Sequence, residues 1–316
     1  MTDAAPGGVI VAVCTSEKTG TVKRAVEQVT LIRGHGLEGD SHAGSWHRQL
    51  SLLEDEKIDT MRARGLALAP GAFGENLVTR GIDLGAIAVG RRVKAGDAVL
   101  QITQRGKECH TRCAIYHQTG DCIMPREGLF ARVLKGAVLA PGDPVALDPA
   151  LDRHRVAILT LSDRGAAGQR ADASGGAIGD LLGVGLPAAA VVSRGLLPDD
   201  RDAIERELRR LADEEVCDLV LTTGGTGLSP RDVTPEATRA VIDREVPGLA
   251  EAMRAAGLAH TPRAMLSRGI CGLRGQSLIV NLSGSPRAVR EQLEAILPAL
   301  PHALEVARGI PLACGR

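Results

Sequence analysis

Aromatic side chains are almost missing: the 316 residues include two phenylalanines, one tyrosine and one tryptophan. All four (Trp46, Phe73, Tyr116 and Phe130) precede residue 150. The cores must therefore be built from Ala, Val, Leu and Ile. A stacking platform for single-stranded nucleic acid, which needs several rings along a basic groove, is excluded. Net charge is missing too, with 38 Lys and Arg balancing 38 Asp and Glu. That balance argues against a polyanion-binding surface, so no nucleic-acid partner is expected, while small anionic ligands held by a few local groups stay open. Apolar runs stop well short of the roughly 20 residues a spanning helix needs, and neither a leader nor a membrane partner is expected. Seven cysteines, an odd number, do not suit a disulfide framework and imply a reducing, cytoplasmic setting.

The chain is long enough for two cores, at roughly 150 residues per domain. Its texture changes near residue 150, which predicts domains at 1–150 and 151–316. In the first, short β-rich runs alternate with glycine turns: Val9–Cys14, Val26–Ile32, Gln49–Leu53, Arg91–Lys94, Ala98–Thr103 and Gly136–Leu139. This pattern predicts an all-β, barrel-like domain with one helix, about Glu54–Arg64. In the second, strands at Val156–Leu161, Ala188–Val192, Leu219–Thr223 and Ser277–Leu282 alternate with helical patterns at Gly175–Leu182, Asp202–Glu214 and Leu249–Ala259. Thr234-Pro235 and Ser285-Pro286 read as a capping residue followed by proline at a helix start. An open, mostly parallel α/β sheet with flanking helices is predicted, with ligands at the carboxyl ends of its strands.

The most informative string is Leu221-Thr-Thr-Gly-Gly-Thr-Gly227, continuing Leu228-Ser-Pro-Arg-Asp-Val-Thr-Pro235. A strand delivers the chain into glycines whose backbone N–H groups can approach an anion, with hydroxyls at Thr222, Thr223 and Thr226 as further donors. The helix that follows favours negative charge at its N-terminus. Asp232 lies between loop and helix, where a carboxylate can hold Mg²⁺ against phosphate oxygens. A plain glycine turn would account for Gly-Gly-Thr-Gly alone. The whole string, however, resembles the molybdopterin adenylyltransferases. Three more stretches match in order across about Val156–Ala307: Leu161-Ser-Asp-Arg-Gly165, Leu197-Pro-Asp199 and Leu282-Ser-Gly-Ser-Pro286.

This resemblance implies Mg²⁺-dependent transfer of AMP from ATP to molybdopterin, with pyrophosphate released. It places Asp199 and Asp232 as catalytic and magnesium-holding residues. Ser162, Asp163, Thr223, Gly224, Gly225, Thr226, Gly227, Ser283, Gly284 and Ser285 would line the substrate site. Without it, Asp199 reads as the N-cap of the helix that follows. Ser283 stands where the family usually carries proline, which leaves the rigidity of that loop open. The family further implies a homo-oligomer, a trimer by resemblance.

In the first half, Gly36-Leu-Glu-Gly-Asp-Ser-His-Ala-Gly44, Arg48-Gln-Leu-Ser-Leu-Leu53, Gly74-Glu-Asn-Leu77 and Cys109–Arg126 together resemble the MOSC domain, across about Val9–Leu147. The resemblance implies handling of sulfur or of the molybdenum cofactor through a cysteine. Within Glu108-Cys-His-Thr-Arg-Cys113, Cys113 is the first choice and Cys109 the second, since Lys107 and Arg112 would favour a thiolate. Zinc on Cys109, Cys113, His117 and Cys122 is the less favoured reading, because the spacing departs from a Cys-x₂-Cys knuckle. Asp40, His42 and His47 form a second conceivable metal cluster, with turn capping by Asp40 the preferred alternative. Arg126 is a candidate for a cofactor phosphate. Cys14, Cys217, Cys271 and Cys314 read as buried hydrophobes or tail.

The expected function is molybdenum cofactor biosynthesis, by an adenylyltransferase fused to a domain that binds or sulfurates the cofactor. Expected partners are molybdopterin and ATP, with a sulfur donor or molybdoenzyme acceptors. Two alternatives stay open: a non-catalytic cofactor carrier, or a MOSC-type reductase of N-hydroxylated compounds.

Overall fold

A computed structural model describes residues 7–106, 116–117 and 120–310. The chain divides into two compact units, 1–152 and 153–316. Among the described residues, no helix is long and apolar enough to cross a membrane.

The first unit is a closed seven-stranded barrel. Its strands are β1 (Gly7–Thr15), β5 (Leu50–Glu54), β6 (Leu77–Arg80), β7 (Arg92–Ala95), β8 (Ala98–Arg105), β9 (Leu129–Lys135) and β11 (Pro144–Leu147). They run in the order β11-β7-β8-β9-β5-β6-β1 and close through a β1–β11 pairing, with β2 (Arg24–Val26) added outside β1. A small separate sheet holds β3 (Val29–Ile32), β4 (Gly36–Leu37) and β10 (Val138–Leu139). Alternate residues fill the interior: Leu50 and Leu52, Leu100 and Ile102, Leu129, Ala131 and Val133. Their neighbours Leu53 and Phe130 face a second cluster, with Ile58 and Met61 of helix α1 (Asp55–Arg62). This is the period-2 alternation of a pleated strand.

Strands β6, β9 and β11 are not foreseen by the sequence pattern. In β9, Leu-Phe-Ala-Arg-Val-Leu-Lys carries apolar residues on both faces, so no alternation marks it. β11 opens on Pro144, which is tolerated because it occupies the first strand position. The run Val26–Ile32 is broken into β2 and β3 rather than continuous.

A buried polar cluster closes one side of this unit. Asp40 accepts hydrogen bonds from Lys23 Nζ (2.5 Å), Ser16 N (3.1 Å), His42 N (2.9 Å) and Asn76 Nδ2 (3.2 Å). It thus caps its own turn and also neutralises a buried lysine. His47 is engaged elsewhere, with its Nε2 3.0 Å from Gln104 Oε1. Among the described residues, no three His, Cys, Asp or Glu side chains converge as a metal site.

Glu75, fully buried, accepts from Gly71 N (2.6 Å) and Phe73 N (3.0 Å). Burial pushes its carboxyl up to about 7. A folded-state value above the unfolded one means the folded unit holds the proton more tightly. That stability is present below the unfolded value and is lost as pH rises through the folded one. The stability of the N-terminal unit is therefore expected to fall, and its thermal midpoint with it, as pH rises from the ordinary carboxylate value through about 7, by an amount on the order of 3 kcal/mol. Calorimetry of Glu75→Gln should give a flatter pH dependence. Lys23, the buried charge that interacts with Glu75, is present in both proteins, so their difference isolates the carboxyl.

The second unit carries a six-stranded mixed sheet. Its strands are β12 (His154–Leu161), β13 (Ala189–Leu197), β14 (Leu219–Thr223), β15 (Arg244–Glu245), β16 (Cys271–Arg274) and β17 (Ser277–Leu282). The order is β13-β12-β14-β17-β16-β15. The first four strands are mutually parallel, as the sequence pattern leads one to expect, whereas β16 pairs antiparallel with both β17 and β15. That antiparallel edge is the departure from the expected sheet. The short β16–β17 hairpin turns at Gly275-Gln276, and Gly275 supplies the positive φ of 57° that a tight turn requires.

Helices cover both faces of this sheet: α2 (Ala173–Gly185), α3 (Arg201–Asp213), α4 (Pro247–Leu258) and α5 (Pro286–Ile296). On one face, Val156, Ile158, Leu221 and Val280 meet Ile178 and Leu182 of α2, Met253 of α4, and Leu293 and Ile296 of α5. On the other, Ala157, Leu159, Val220 and Ile279 meet Ile204, Leu208 and Leu211 of α3. Burial of these side chains, about 1.5–3 kcal/mol for each Val, Leu, Ile or Met, holds the sheet without phenylalanine, tyrosine or tryptophan.

Candidate active site

Because β12, β13, β14 and β17 are parallel, their carboxyl ends converge on one edge. There they deliver Ser162, Asp199, Thr223–Gly227 and Ser283–Ser285. Sequence order alone does not bring these segments together; the parallel register does.

The glycine loop is set by close approach. Gly224 has φ 104°, and a Cβ there would lie 2.2 Å from the Leu161 carbonyl oxygen. Gly225 has φ 61°, and its Cβ would lie 2.3 Å from Thr234 Oγ1 and 2.9 Å from Asp199 Oδ1. Only glycine meets both demands. The hydroxyls of Thr222 and Thr223 depart from expectation. Thr223 donates to Ser283 O (2.8 Å), while Thr222, fully buried, receives Asn281 Nδ2 (3.0 Å). Thr234 lies inside a short helix (Thr234–Arg239) whose N-cap is Val233, and it donates to Gly224 O (2.9 Å). These hydroxyls brace the loop rather than cap a helix or reach toward an anion.

Two cavities flank the loop, of about 400 and 420 Å³. The first is lined by Ser162, Asp163, Asp199, Thr223 and Gly224, the second by Thr226, Gly227, Ser283 and Ser285. Gly225, Asp232 and Gly284 border both. Every site residue expected in the second half of the chain therefore lines one cavity or the other. Arg164, within the Leu161–Gly165 stretch, and Arg170 in the first, and Arg263 in the second, add cationic groups, of which Arg170 and Arg263 belong to no sequence motif. The signal for them is chemical: an anionic ligand requires cations nearby.

Asp199 is not the helix cap. That role belongs to Asp200, which accepts from Ala203 N (2.8 Å). Asp163 N donates to Asp199 Oδ2 (3.1 Å), and Asp199 N donates to Asp163 Oδ1 (3.0 Å). The second oxygen of Asp199, Oδ1, is buried with no hydrogen-bond partner. Burial, together with the charges of Asp163 and Asp232, holds this carboxyl above the usual range. Asp163 is held below it by Arg231, which grips both of its oxygens at 2.7–3.1 Å. With Asp163 already gripped by Arg231, Asp199 and Asp232 are the two carboxylates that could hold a divalent ion through hard oxygen ligands.

Ser283, where the resemblance leads one to expect proline, is braced from the following helix. Its N–H donates to Gln292 Oε1 (2.9 Å), and Gln292 Nε2 donates to its hydroxyl (2.9 Å). Two hydrogen bonds thus fix the turn that a ring would otherwise restrict.

In the first unit, Cys113 and Cys109 lie outside the described residues. Cys122 is half-buried, and Arg126 donates to Asp121 Oδ2 (3.1 Å). Burial pushes the thiols of Cys14, Cys217 and Cys271 up to about 12 each, so all three are inert packing groups.

Residues 157–302 match the family described as a probable molybdopterin binding domain, and residues 39–146 match the MOSC domain. The chain is 44% identical over 154 residues to the molybdopterin adenylyltransferase of Helicobacter pylori strain J99, covering 49% of this chain and 88% of that one. The Escherichia coli K12 molybdopterin adenylyltransferase is 43% identical over 145 residues, with 46% and 74% covered. Among solved structures, the molybdopterin biosynthesis enzyme MoaB of Thermus thermophilus is 56% identical. That match covers 50% of this chain and 98% of the other, with a TM-score of 0.48.

Proposed function

The chain belongs to the molybdopterin adenylyltransferase family and carries a MOSC domain ahead of it, and from that premise we propose that its second unit transfers AMP from ATP to molybdopterin. The terminal phosphate oxygen of the pterin attacks the α-phosphorus of ATP, and the bond to the pyrophosphate leaving group breaks. No covalent protein intermediate is required, so the residues act by positioning and by electrostatics. The observation that carries this reading is the unpartnered Asp199 Oδ1 at a loop whose Asp232 borders both cavities. Asp199 and Asp232 would hold Mg²⁺, which neutralises developing charge on phosphate oxygens when bound. The glycine loop lets phosphates approach the backbone between the two cavities, and Arg164, Arg170 and Arg263 offset the charge of two anionic substrates. Ser162, Asp163, Thr223 and Ser283–Ser285 shape the walls.

The first unit, over 1–150, is proposed to bind or sulfurate the cofactor. The MOSC match over residues 39–146 supports this, with Cys113 as the thiol. The experiment is direct. Full-length protein incubated with Mg²⁺, ATP and molybdopterin should release one pyrophosphate for each adenylylated pterin formed. Pterin binding without pyrophosphate release would make the second unit a carrier.

A further inference from the structure

Arg268 lines neither cavity, yet its side chain spans the loop that carries Asp232. Its Nε donates to Gly227 O (2.6 Å) and its Nη2 to Asp232 O (2.5 Å). Its Nη1 donates to Glu236 Oε1 (2.5 Å), in the helix that begins at Thr234. The backbone N–H of the same residue donates to Thr226 O (2.9 Å). One residue therefore grips the loop before its turn, after its turn, and on the helix beyond. Inside that frame the turn closes on itself. Ser229 N donates to Asp232 Oδ2 (2.8 Å), and Asp232 N to Ser229 O (2.9 Å). The carboxylate lies so close over Gly227 that a Cβ there would meet Asp232 Oδ2 at 2.9 Å.

We infer that Arg268 is the positioning residue for Asp232: it fixes the height of the Gly227–Asp232 turn, and hence of the carboxylate shared by the two cavities. The inference rests on the adenylyl-transfer reading for what Asp232 does, but not for how it is held. A planar guanidinium reaches two carbonyls and a carboxylate at once. An ammonium, a compact point charge on a flexible stem, cannot hold the same three acceptors in one plane.

The test uses full-length Arg268→Ala, Arg268→Lys and Glu236→Gln. It reads Mn²⁺ binding by electron paramagnetic resonance, amide exchange over residues 227–232, and kcat and KM from pyrophosphate release. In Arg268→Ala, kcat is expected to fall about 10²-fold, with KM for molybdopterin within about threefold and Mn²⁺ held about tenfold more weakly. The amides of 227–232 should exchange faster while those of β14 and β17 keep their protection. Added guanidinium ion should restore part of kcat. Arg268→Lys should be intermediate, and Glu236→Gln, which keeps both carbonyl contacts, milder still. If Arg268→Ala does not fold, the graded order of the other two variants decides. Wild-type Mn²⁺ affinity and loop exchange in folded Arg268→Ala, or in Arg268→Lys where alanine does not fold, would overturn the inference. If wild-type protein releases no pyrophosphate but Mn²⁺ binding still weakens with Arg268, the positioning role stands and the adenylyl-transfer reading fails.

Discussion

Replacing Asp232 by alanine is expected to remove pyrophosphate release almost entirely, by about 10²–10³-fold or more in kcat. Asp232 borders both cavities beside the glycine loop, so its loss acts on the reacting phosphates rather than on the binding of one substrate. The change leaves the sheet untouched. The local loss is one hydrogen bond from Ser229 N, worth about 0.5–1.5 kcal/mol. Far-UV circular dichroism should be unchanged and the thermal midpoint only slightly lower. Asp232→Asn retains an acceptor for Ser229 but not the charge, and should be nearly as inactive. A folded Asp232→Ala enzyme with normal turnover would remove the carboxylate from the mechanism.

The second large effect concerns Gly225→Ala. The methyl would meet Thr234 Oγ1 at 2.3 Å and Asp199 Oδ1 at 2.9 Å, on a residue with φ 61°. Relief requires movement of the hydroxyl that holds Gly224 O or of the carboxylate proposed to hold magnesium. Overpacking costs about 1–3 kcal/mol, and the left-handed backbone adds roughly 1–2 kcal/mol. With Asp199 displaced, kcat/KM is expected to fall about 10²-fold. Gly176→Ala and Gly183→Ala in helix α2 are the controls, because a Cβ at either meets nothing within 4 Å. Each should raise stability by about 0.5–1 kcal/mol with activity intact. Similar losses in all three variants would show that the site tolerates no helix or loop change, and that the crowding at Gly225 is not the cause.

The site was legible where its chemistry is carried by contiguous residues. Thr223–Gly227 and Asp232 share one string, and Asp199 and Ser283–Ser285 belong to short motifs in the same order along the chain. What sequence could not disclose was where each side chain spends its hydrogen bonds. Thr223 bonds a carbonyl 60 residues away, and Arg231 grips a carboxylate 68 residues away. Such pairings exist only after the parallel strands have brought their ends together. Arg268 was invisible for the same reason, since its partner Glu236 lies 32 residues upstream. In the fold, buried strands with strong aliphatic runs, Leu219–Thr223 and Ser277–Leu282, were read to the residue. Strand β16 was not, because Cys-Gly-Leu-Arg is too short and too mixed to show a period.

The aliphatic core of the second unit has a photophysical consequence. With no phenylalanine, tyrosine or tryptophan after Phe130, residues 153–316 contribute neither ring absorbance near 280 nm nor intrinsic emission. Intrinsic fluorescence of the whole chain thus reports on the barrel alone and is blind to melting of the sheet. For the same reason the optical window is clear. Absorption of an adenine or pterin ring held in the second unit stands against an aromatic background set entirely by the other half of the molecule. A single tryptophan introduced near the glycine loop would be a uniquely assignable reporter of that unit.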